Sequence, residues 1–371
     1  MANTIAAPSG PPVYGGGGLI SVVGQVFRSN KNNDQLDDLT SSVQRGRATL
    51  DINQPVPWTF QADITTPSIL TPYVDCLMPV LTLTYADGSV KTGQVGLFMV
   101  MPSPQTSTAL ITTGKIDGRG LEWILSVDAV VNPFNVNAGV DYLTAVADVI
   151  KTTGITRYSL PPSGVLTPGP FSWKHGTGKL AIINELLAAA GHYPLTSDRT
   201  GRLTSWPVPD LLTVAPAATY TVANAQVVDA VEFQPLLDRF CNKVIVIADD
   251  AKRHVFTTVL TNSNPANPTS TAALGITIVK VVQMPKAATT TQTSIMAHRL
   301  LDEGSAIYQR IKIKALPDPT RNPREVVDVD LTDQQGNPIT TGNWSVIGMS
   351  HGFTATDGYL ELDLAKVIPH K

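Results

Sequence analysis

Trp58, Phe60, Ala62 and Ile64 alternate with Thr59, Gln61 and Asp63, and near the other end of the chain Ile311 and Ile313 alternate with Lys312 and Lys314. A two-residue period belongs to a sheet with one face buried and the other wet. A chain that carries this period both early and late must build its core from strands. Leu81, Leu83 and Tyr85 repeat the pattern, and Tyr85-Ala86-Asp87-Gly88-Ser89 supplies an Asp-Gly hairpin turn before a next strand, Val90 to Met101. Further strands are predicted at 107–116 and 120–128, so the first block reads as a small antiparallel barrel or sandwich.

The middle of the chain changes period. Leu143, Val146, Ala147 and Ile150 fall at i, i+3, i+4 and i+7, with Asp141 at the start and Gly154 past the end, which predicts a helix. A second helix follows in WKHGTGKLAIINELLAAAG (173–191), then a hairpin over Leu195–Ser205 around Asp198-Arg199-Thr200-Gly201. Strands resume at Tyr220, at Asn242–Ile247 and at Ile307–Ala315, with a Thr/Asn/Pro-rich stretch at 261–273 and a helix around Ile295–Leu301 between them. Asn343–Phe353 and Tyr359–Val367 pair as a closing hairpin across Asp357-Gly358.

This order predicts a mainly β protein with α+β inserts. It divides into a Gly/Pro/Asn-rich N-terminal arm (1–38), a first β block (39–128), an α+β insert (129–210), a second β block (211–250 and 305–371) and an insert with one helix (251–304). Four consecutive glycines, Gly15–Gly18, and the tract SNKNNDQLDD place the arm among segments that order on contact, although Leu19–Phe27 is apolar enough to pair with a neighbour.

With 371 residues, 43% of them apolar, the chain has material for two or three domains with sizeable cores. A formal charge of −3 and no basic run argue against a protein that grips nucleic acid by its phosphates, but leave room for a neutral wall beside DNA. No apolar run reaches the ~18 residues of a membrane span, and MANTIAAPSGPP lacks the order of a signal peptide, so no membrane insertion is expected. Cys76 and Cys241 lie far apart in apolar settings and read as buried free thiols.

Gly176-Thr177-Gly178-Lys179 invites comparison with a phosphate-binding loop. Trp173 stands where such a loop needs its first glycine and Leu180 where it needs a hydroxyl. A helix start explains the residues better, with Thr177 as N-cap, Leu180, Ile183 and Leu187 buried and Gly191 at the end. The run GGGGLISVVG precedes a predicted strand instead of following one, so it is no dinucleotide loop. His175, His192, His254, His298, His351 and His370 show no metal-binding spacing, and no Gly-x-Ser-x-Gly elbow occurs. Asp328, Asp330 and Asp333 alternate with Val327, Val329 and Leu331 as the wet face of a strand, without the glycine and glutamate of a calcium loop. No catalytic, cofactor-binding or metal residue is assigned, and no enzyme activity or cofactor is expected.

Three stretches in order carry a family resemblance: SVQRGRATLDINQPVPWTFQADITTP with the later GQVGLFMVM, FSWKHGTGKLAIINELLAAAGHYPLTSDRTGRLTSWPVP, and NWSVIGMSHGFTATDGYLELDLAKV. Together they resemble the baseplate or tail-tip hub proteins of tailed bacteriophages, over about residues 40–368. The resemblance implies two tail-tube-like antiparallel β-barrels with inserted smaller domains, and a homotrimer whose six barrels adapt sixfold tube symmetry to a threefold tip. It implies as partners a distal tail or tail-tube ring, a tape-measure protein and tail-tip spike or fibre proteins, with DNA in transit without specific binding. Virion localisation at the tail tip, after assembly in a host cytoplasm, follows from the same resemblance. The rivals are a tail-associated cell-wall hydrolase, which needs a convergent acid pair, and a carbohydrate-binding adhesin, for which five tryptophans are thin support because Trp58 and Trp344 sit on predicted strands.

Overall fold

The computed structural model describes residues 3–6, 19–65, 69–108, 112–208, 214–221, 227–234, 240–248, 256–284, 289–306, 310–332, 338–353 and 359–366. The first part of the chain forms β1 (Asn3–Ala6), β2 (Leu19–Ser29), β3 (Gln35–Asp38), β4 (Val43–Asp51), β5 (Trp58–Thr65), β6 (Cys76–Tyr85), β7 (Val90–Gln94), β8 (Phe98–Met101), β9 (Gln105–Ser107) and β10 (Thr112–Gly120). The insert holds α1 (Glu122–Val127), β11 (Phe134–Val136), α2 (Tyr142–Lys151), β12 (Tyr158–Ser159), β13 (Phe171–Trp173), α3 (Lys179–Ala189), β14 (Thr196–Ser197) and β15 (Leu203–Thr204). The rest comprises β16 (Thr219–Thr221), β17 (Val227–Gln234), β18 (Lys243–Ala248), β19 (Phe256–Thr261), α4 (Thr271–Leu274), β20 (Val279–Gln283), α5 (Thr290–Ala306), β21 (Arg310–Ala315), β22 (Val326–Thr332), β23 (Pro338–Gly352) and β24 (Leu360–Lys366).

The molecule is mainly β, as the alternation predicts. Among the described residues, sixteen strands join in one sheet whose spine runs β1-β2-β6-β8-β10-β5-β4-β23-β24-β21-β17. The two strand-rich blocks are therefore not separate sheets. They meet at an antiparallel seam, where β4 pairs with β23 from Asp51 opposite Gly348 to Arg47 opposite Gly352. Backbone bonds from Ile52 N–H to the Ile347 carbonyl (3.1 Å) and from Phe353 N–H to the Gly46 carbonyl (2.9 Å) extend the seam past both ends.

One core lies under this sheet and draws on both blocks: Trp58, Phe60 and Leu50 from the first, Trp344, Ile313 and Leu362 from the second. A second core joins the insert helices to the first block through Cys76, Met78, Leu97, Met99 and Met101. Strands β6 and β8 serve both. Cys76 and Met99 pair and face the insert, while the adjacent pair Leu77 and Phe98 faces the shared core. Strands covered on two faces need apolar residues in both phases, which is why CLMPVL and GLFMVM read as unbroken apolar runs. A three-stranded sheet, β19-β18-β20, packs one face on α5 through Val244, Val246, Met296 and Leu300.

Several expectations need correction. The predicted strand at 120–128 is helix α1. Its apolar run hides a four-residue repeat, with Leu121 and Leu125 both fully buried, and the strand before it must stop at Gly120, where a Cβ would lie 3.0 Å from Trp58 Cβ. The predicted strand Val90–Met101 is two, β7 and β8, broken at Gly96 with φ of 95°. The apolar piece Leu19–Phe27 does pair with a neighbour, as its composition allows, forming the long strand β2 against β6 from Leu19 to Ser29. The cap of α3 is Gly178 and not Thr177. The closing hairpin forms between β23 and β24, and its Asp357-Gly358 turn lies outside the described residues. Among the described residues no helix is long and apolar enough to cross a membrane.

Candidate functional site

The outward face of the large sheet is its most extensive polar feature, and the registers place it residue by residue. Arg119 lies beside Thr59, Thr59 beside Thr49, Thr49 beside Ser350, Ser350 beside Glu361 and Glu361 beside Lys314, a row that crosses six strands and both blocks. Neighbouring rows hold Asp117, Gln61 and Arg47, then Lys115, Asp63 and Arg45, and on the other side Asp363 and Lys312. Charge on this face is partly neutralised in place, by three ion pairs among the described residues. Arg47 reaches Glu361 across the seam at 3.0 Å, Arg119 pairs with Asp117 at 3.1 Å, and Arg310 makes a two-pronged contact with Asp363. Thr49 and Ser350 share a hydroxyl hydrogen bond at 3.3 Å over the seam itself. Acids are interleaved with the cations from strand to strand, so the face is not a basic patch of the kind that holds a polyanion.

Directly beneath that face, His351 of β23 is wholly buried between Ala48 of β4 and Leu360 of β24. Burial holds its imidazole neutral and pushes its pKa down from 6.5 to about 4.

A second polar assembly seats the insert on the sheet. The Trp58 indole Nε1–H donates to the Ser197 carbonyl at 2.9 Å, while Ser197 N–H donates to the buried Glu122 carboxylate. Burial raises the Glu122 pKa, partly offset by hydrogen bonds from its own backbone, Ser197 and Thr196. The Asp198-Arg199-Thr200-Gly201 tip is shaped by Asp198 Oδ1, which accepts from Thr200 N–H at 2.8 Å and Arg202 N–H at 3.0 Å. Gly96 N–H donates to the Arg199 carbonyl, and Gln94 and Arg157 side chains donate to the Thr200 carbonyl, locking the tip against β7 and β8. Gly201 has φ of 75°, and a Cβ there would sit 2.1 Å from Leu97 Cβ, so a side chain is excluded twice over. From the second block, Asn322 accepts from Arg199 N–H at 3.3 Å, and the Arg324 guanidinium stacks 4.1 Å above the Tyr193 ring.

The tempting loop at 173–180 takes a structural part. Its backbone donors are already used: Gly176 N–H bonds the Val130 carbonyl, Thr177 N–H that of Lys174 and Lys179 N–H that of Asp128. The Lys179 ammonium is buried against Asp128 at 2.6 Å, unable to reach a phosphate. Leu180, Ile183 and Leu187 are buried as expected, and Gly191 ends the helix with φ of 74°.

The structure scatters the other candidates. His175 is exposed and His192 buried, whereas His254 and His370 lie outside the described residues. Asp328 and Asp330 are on the wet side of β22 and Asp333 is outside the described residues. Among the described residues no three His, Cys, Asp or Glu side chains gather as a metal site. Cys76 and Cys241 are buried, and neither forms a disulfide. Trp58 and Trp344 are both core residues at 1% exposure, so neither offers a ring to a sugar. Of the groups that matter here, Glu122 and Arg324 have no motif to mark them, and His351 reads in the sequence only as one of six histidines without metal spacing. Glu122 had one available signal, a lone acid inside the apolar run LEWILSV.

No protein-family model matches the chain, and no curated protein matches it significantly. Solved structures do. A tail protein from Neisseria meningitidis MC58 superposes with a TM-score of 0.62 at 14% identity, covering 92% of this chain and 96% of that one. The 43 kDa tail protein of prophage MuSo2 from Shewanella oneidensis gives 0.58 at 12% identity, over 92% and 98% of the two chains. The prophage tail protein gp18 from Listeria monocytogenes EGD-e gives 0.54 at 12% identity, over 92% and 94%. With nearly the whole of each chain aligned and so few residues shared, what is common is the architecture: this chain has the fold of prophage tail proteins.

Proposed function

We propose that the chain is a structural protein of a phage tail, a hub at its distal end that assembles as a trimer, adapts the sixfold tube to a threefold tip and forms part of the DNA passage. The observation that carries this reading is the seam. Two strand blocks from one chain share a single sheet across β4 and β23, so each copy presents two sheet units joined by backbone hydrogen bonds. Three such copies supply six units, the arithmetic a threefold-to-sixfold adaptor requires.

The outer face of the sheet supports the same reading. A wall that DNA slides past works best when its charges are paired with each other, because each phosphate contact displaces counterions and holds the duplex. On strands β10, β5, β4, β23, β24, β21 and β22 of this face, seven cations (Arg45, Arg47, Lys115, Arg119, Arg310, Lys312, Lys314) stand against seven anions (Asp51, Asp63, Asp117, Asp328, Asp330, Glu361, Asp363), so the two signs balance. Distal tail ring, tape-measure and spike or fibre proteins are the partners this position implies. Electron microscopy of intact tails carrying a labelled copy tests the reading. Density for three copies at the tip is expected, and absence of the chain from the tip overturns it.

A further inference from the structure

Glu122 is the one acid of α1 and is wholly buried. Its Oε1 accepts from the Ser197 backbone N–H, while Oε2 lies against Gly120, where a Cβ would collide with it, and has no hydrogen-bond partner. The groups that act on the carboxyl are its own backbone, Thr196 and Ser197, none of them charged. Charges on the surrounding elements are engaged elsewhere. Arg119 of β10 pairs with Asp117, Lys179 of α3 with Asp128, and Asp198 of the hairpin with Arg202, while Glu185 of α3 accepts from the Trp173 indole and Arg157 donates to the Thr200 carbonyl. A carboxylate in this seat would be a buried charge with one oxygen unpaired and no cation beside it, so the seat fits the neutral acid. Burial accordingly raises its pKa above the ordinary 4.5.

Ser197 is gripped twice, its N–H by Glu122 and its carbonyl by the Trp58 indole of β5 at 2.9 Å. The tip that follows docks on the first block, where Gly96 N–H donates to the Arg199 carbonyl, and on the second, where Arg199 N–H donates to Asn322 at 3.3 Å. An ionised Glu122 must reach water, and only one side of its seat can give way. Helix α1 is held by Leu121 and Leu125, both fully buried in the cores. The hairpin is weaker: β14 and β15 have two residues each, Leu195 and Leu203 anchor only its base, and residues 198–200 and 202 are already half-buried or exposed.

We propose that Glu122 is a proton-gated latch: as the neutral acid it holds the 197–202 tip on the first block, and on losing its proton to solvent it releases the tip and frees Arg199 from Asn322. The carboxyl is ordinary in the open state and raised in the closed one. The closed state is therefore complete below 4.5, and opening increases by about tenfold per pH unit above it until it levels off past the closed-state value. His192 and His351 act with opposite sign, because both have lowered pKa values and loosen the fold as the pH falls. The latch is independent of where the chain sits in a tail.

Hydrogen exchange on the full chain from about pH 5 to about pH 9 tests the proposal. The Ser197 and Gly96 N–H groups and the Trp58 indole report on the tip, and the Ile52 and Phe353 N–H groups on the β4–β23 seam. Protection factors, which divide out base catalysis of the free amide, are expected to fall at the tip by about tenfold per pH unit and then level off, with the seam unchanged. In Glu122→Gln, which keeps the shape of the acid without its proton, tip protection should stay flat. Tip protection independent of pH in the wild type, or the same fall in Glu122→Gln, overturns the proposal. An equal fall at the seam in the wild type, which needs no variant to fold, means that the molecule opens as a whole and overturns it too.

Discussion

In the large sheet, the positions that alternate with the core row hold Lys115, Asp117, Arg47, Glu361 and Lys314; in the small sheet the same phase holds Ile245, Val259 and Val281. Both sheets bury one face against their own chain. They differ in the composition of the other face, charged and polar in one case and largely apolar in the other. The difference shows that alternation identifies a strand only when its outer face is polar.

Removing the support under the large sheet should give the largest effect. Trp58→Ala deletes a 1% exposed ring and its bond to the Ser197 carbonyl, and should cost about 3–5 kcal/mol by denaturant unfolding. Truncation of the exposed Val281 on the small sheet should leave unfolding within about 0.5 kcal/mol.

Acid should attack the large sheet at its seam. The folded pKa of His351 lies below its unfolded value, so its contribution is complete above 6.5 and is lost as the pH falls through that value toward about 4. The loss should total roughly 3 kcal/mol at about 1.4 kcal/mol per pKa unit, and His351→Leu should flatten unfolding free energy across that window. Glu122 has the opposite sign. Its folded pKa is raised, so stability is complete below 4.5 and declines as the pH rises through the folded value. Glu122→Gln should remove that alkaline decline and leave the acid limb untouched.

The insert provides a smaller, local effect. Asp141 caps α2, and although burial opposes ionisation, hydrogen bonds from Thr144, Ser163 and Gly164 hold its carboxyl below the usual range. Asp141→Ala should cost about 1 kcal/mol at neutral pH. Least of all, Arg47→Ala on the large sheet's outer face breaks a pair whose side chains are 43% and 47% exposed, and should change stability by less than about 0.5 kcal/mol. A large destabilisation there would erase the contrast between the two outer faces.

Strand positions with a wet face were legible, because Trp58 to Ile64 and Arg310 to Ala315 obey a local rule. The Asp87-Gly88 turn was legible for the same reason, with Gly88 at φ 81°. What failed was decided by distant partners. That Leu19–Phe27 could pair was legible from its apolar run, but its partner β6 was not, because composition says nothing of it. LEWILSV looked like a strand because helix and strand share apolar runs when both faces are covered, and only the seat for Glu122 beside Ser197 distinguishes them. KVIVIA in β18 was read as a strand, yet its second apolar phase passed unnoticed, and that phase lies on the outer face of the small sheet. The wet face of the large sheet was legible strand by strand, but the seam that makes it continuous was not, since nothing local links Arg47 to Glu361.

That pair is separated by 314 residues of chain. During synthesis β4 emerges long before its seam partner β23, so an unsatisfied strand edge persists while the strands between them are made. Contacts of such separation slow folding and leave open edges available to other chains. The same hydrogen bonds that unite the two blocks therefore leave the free edge of β4 open until β23 has been made.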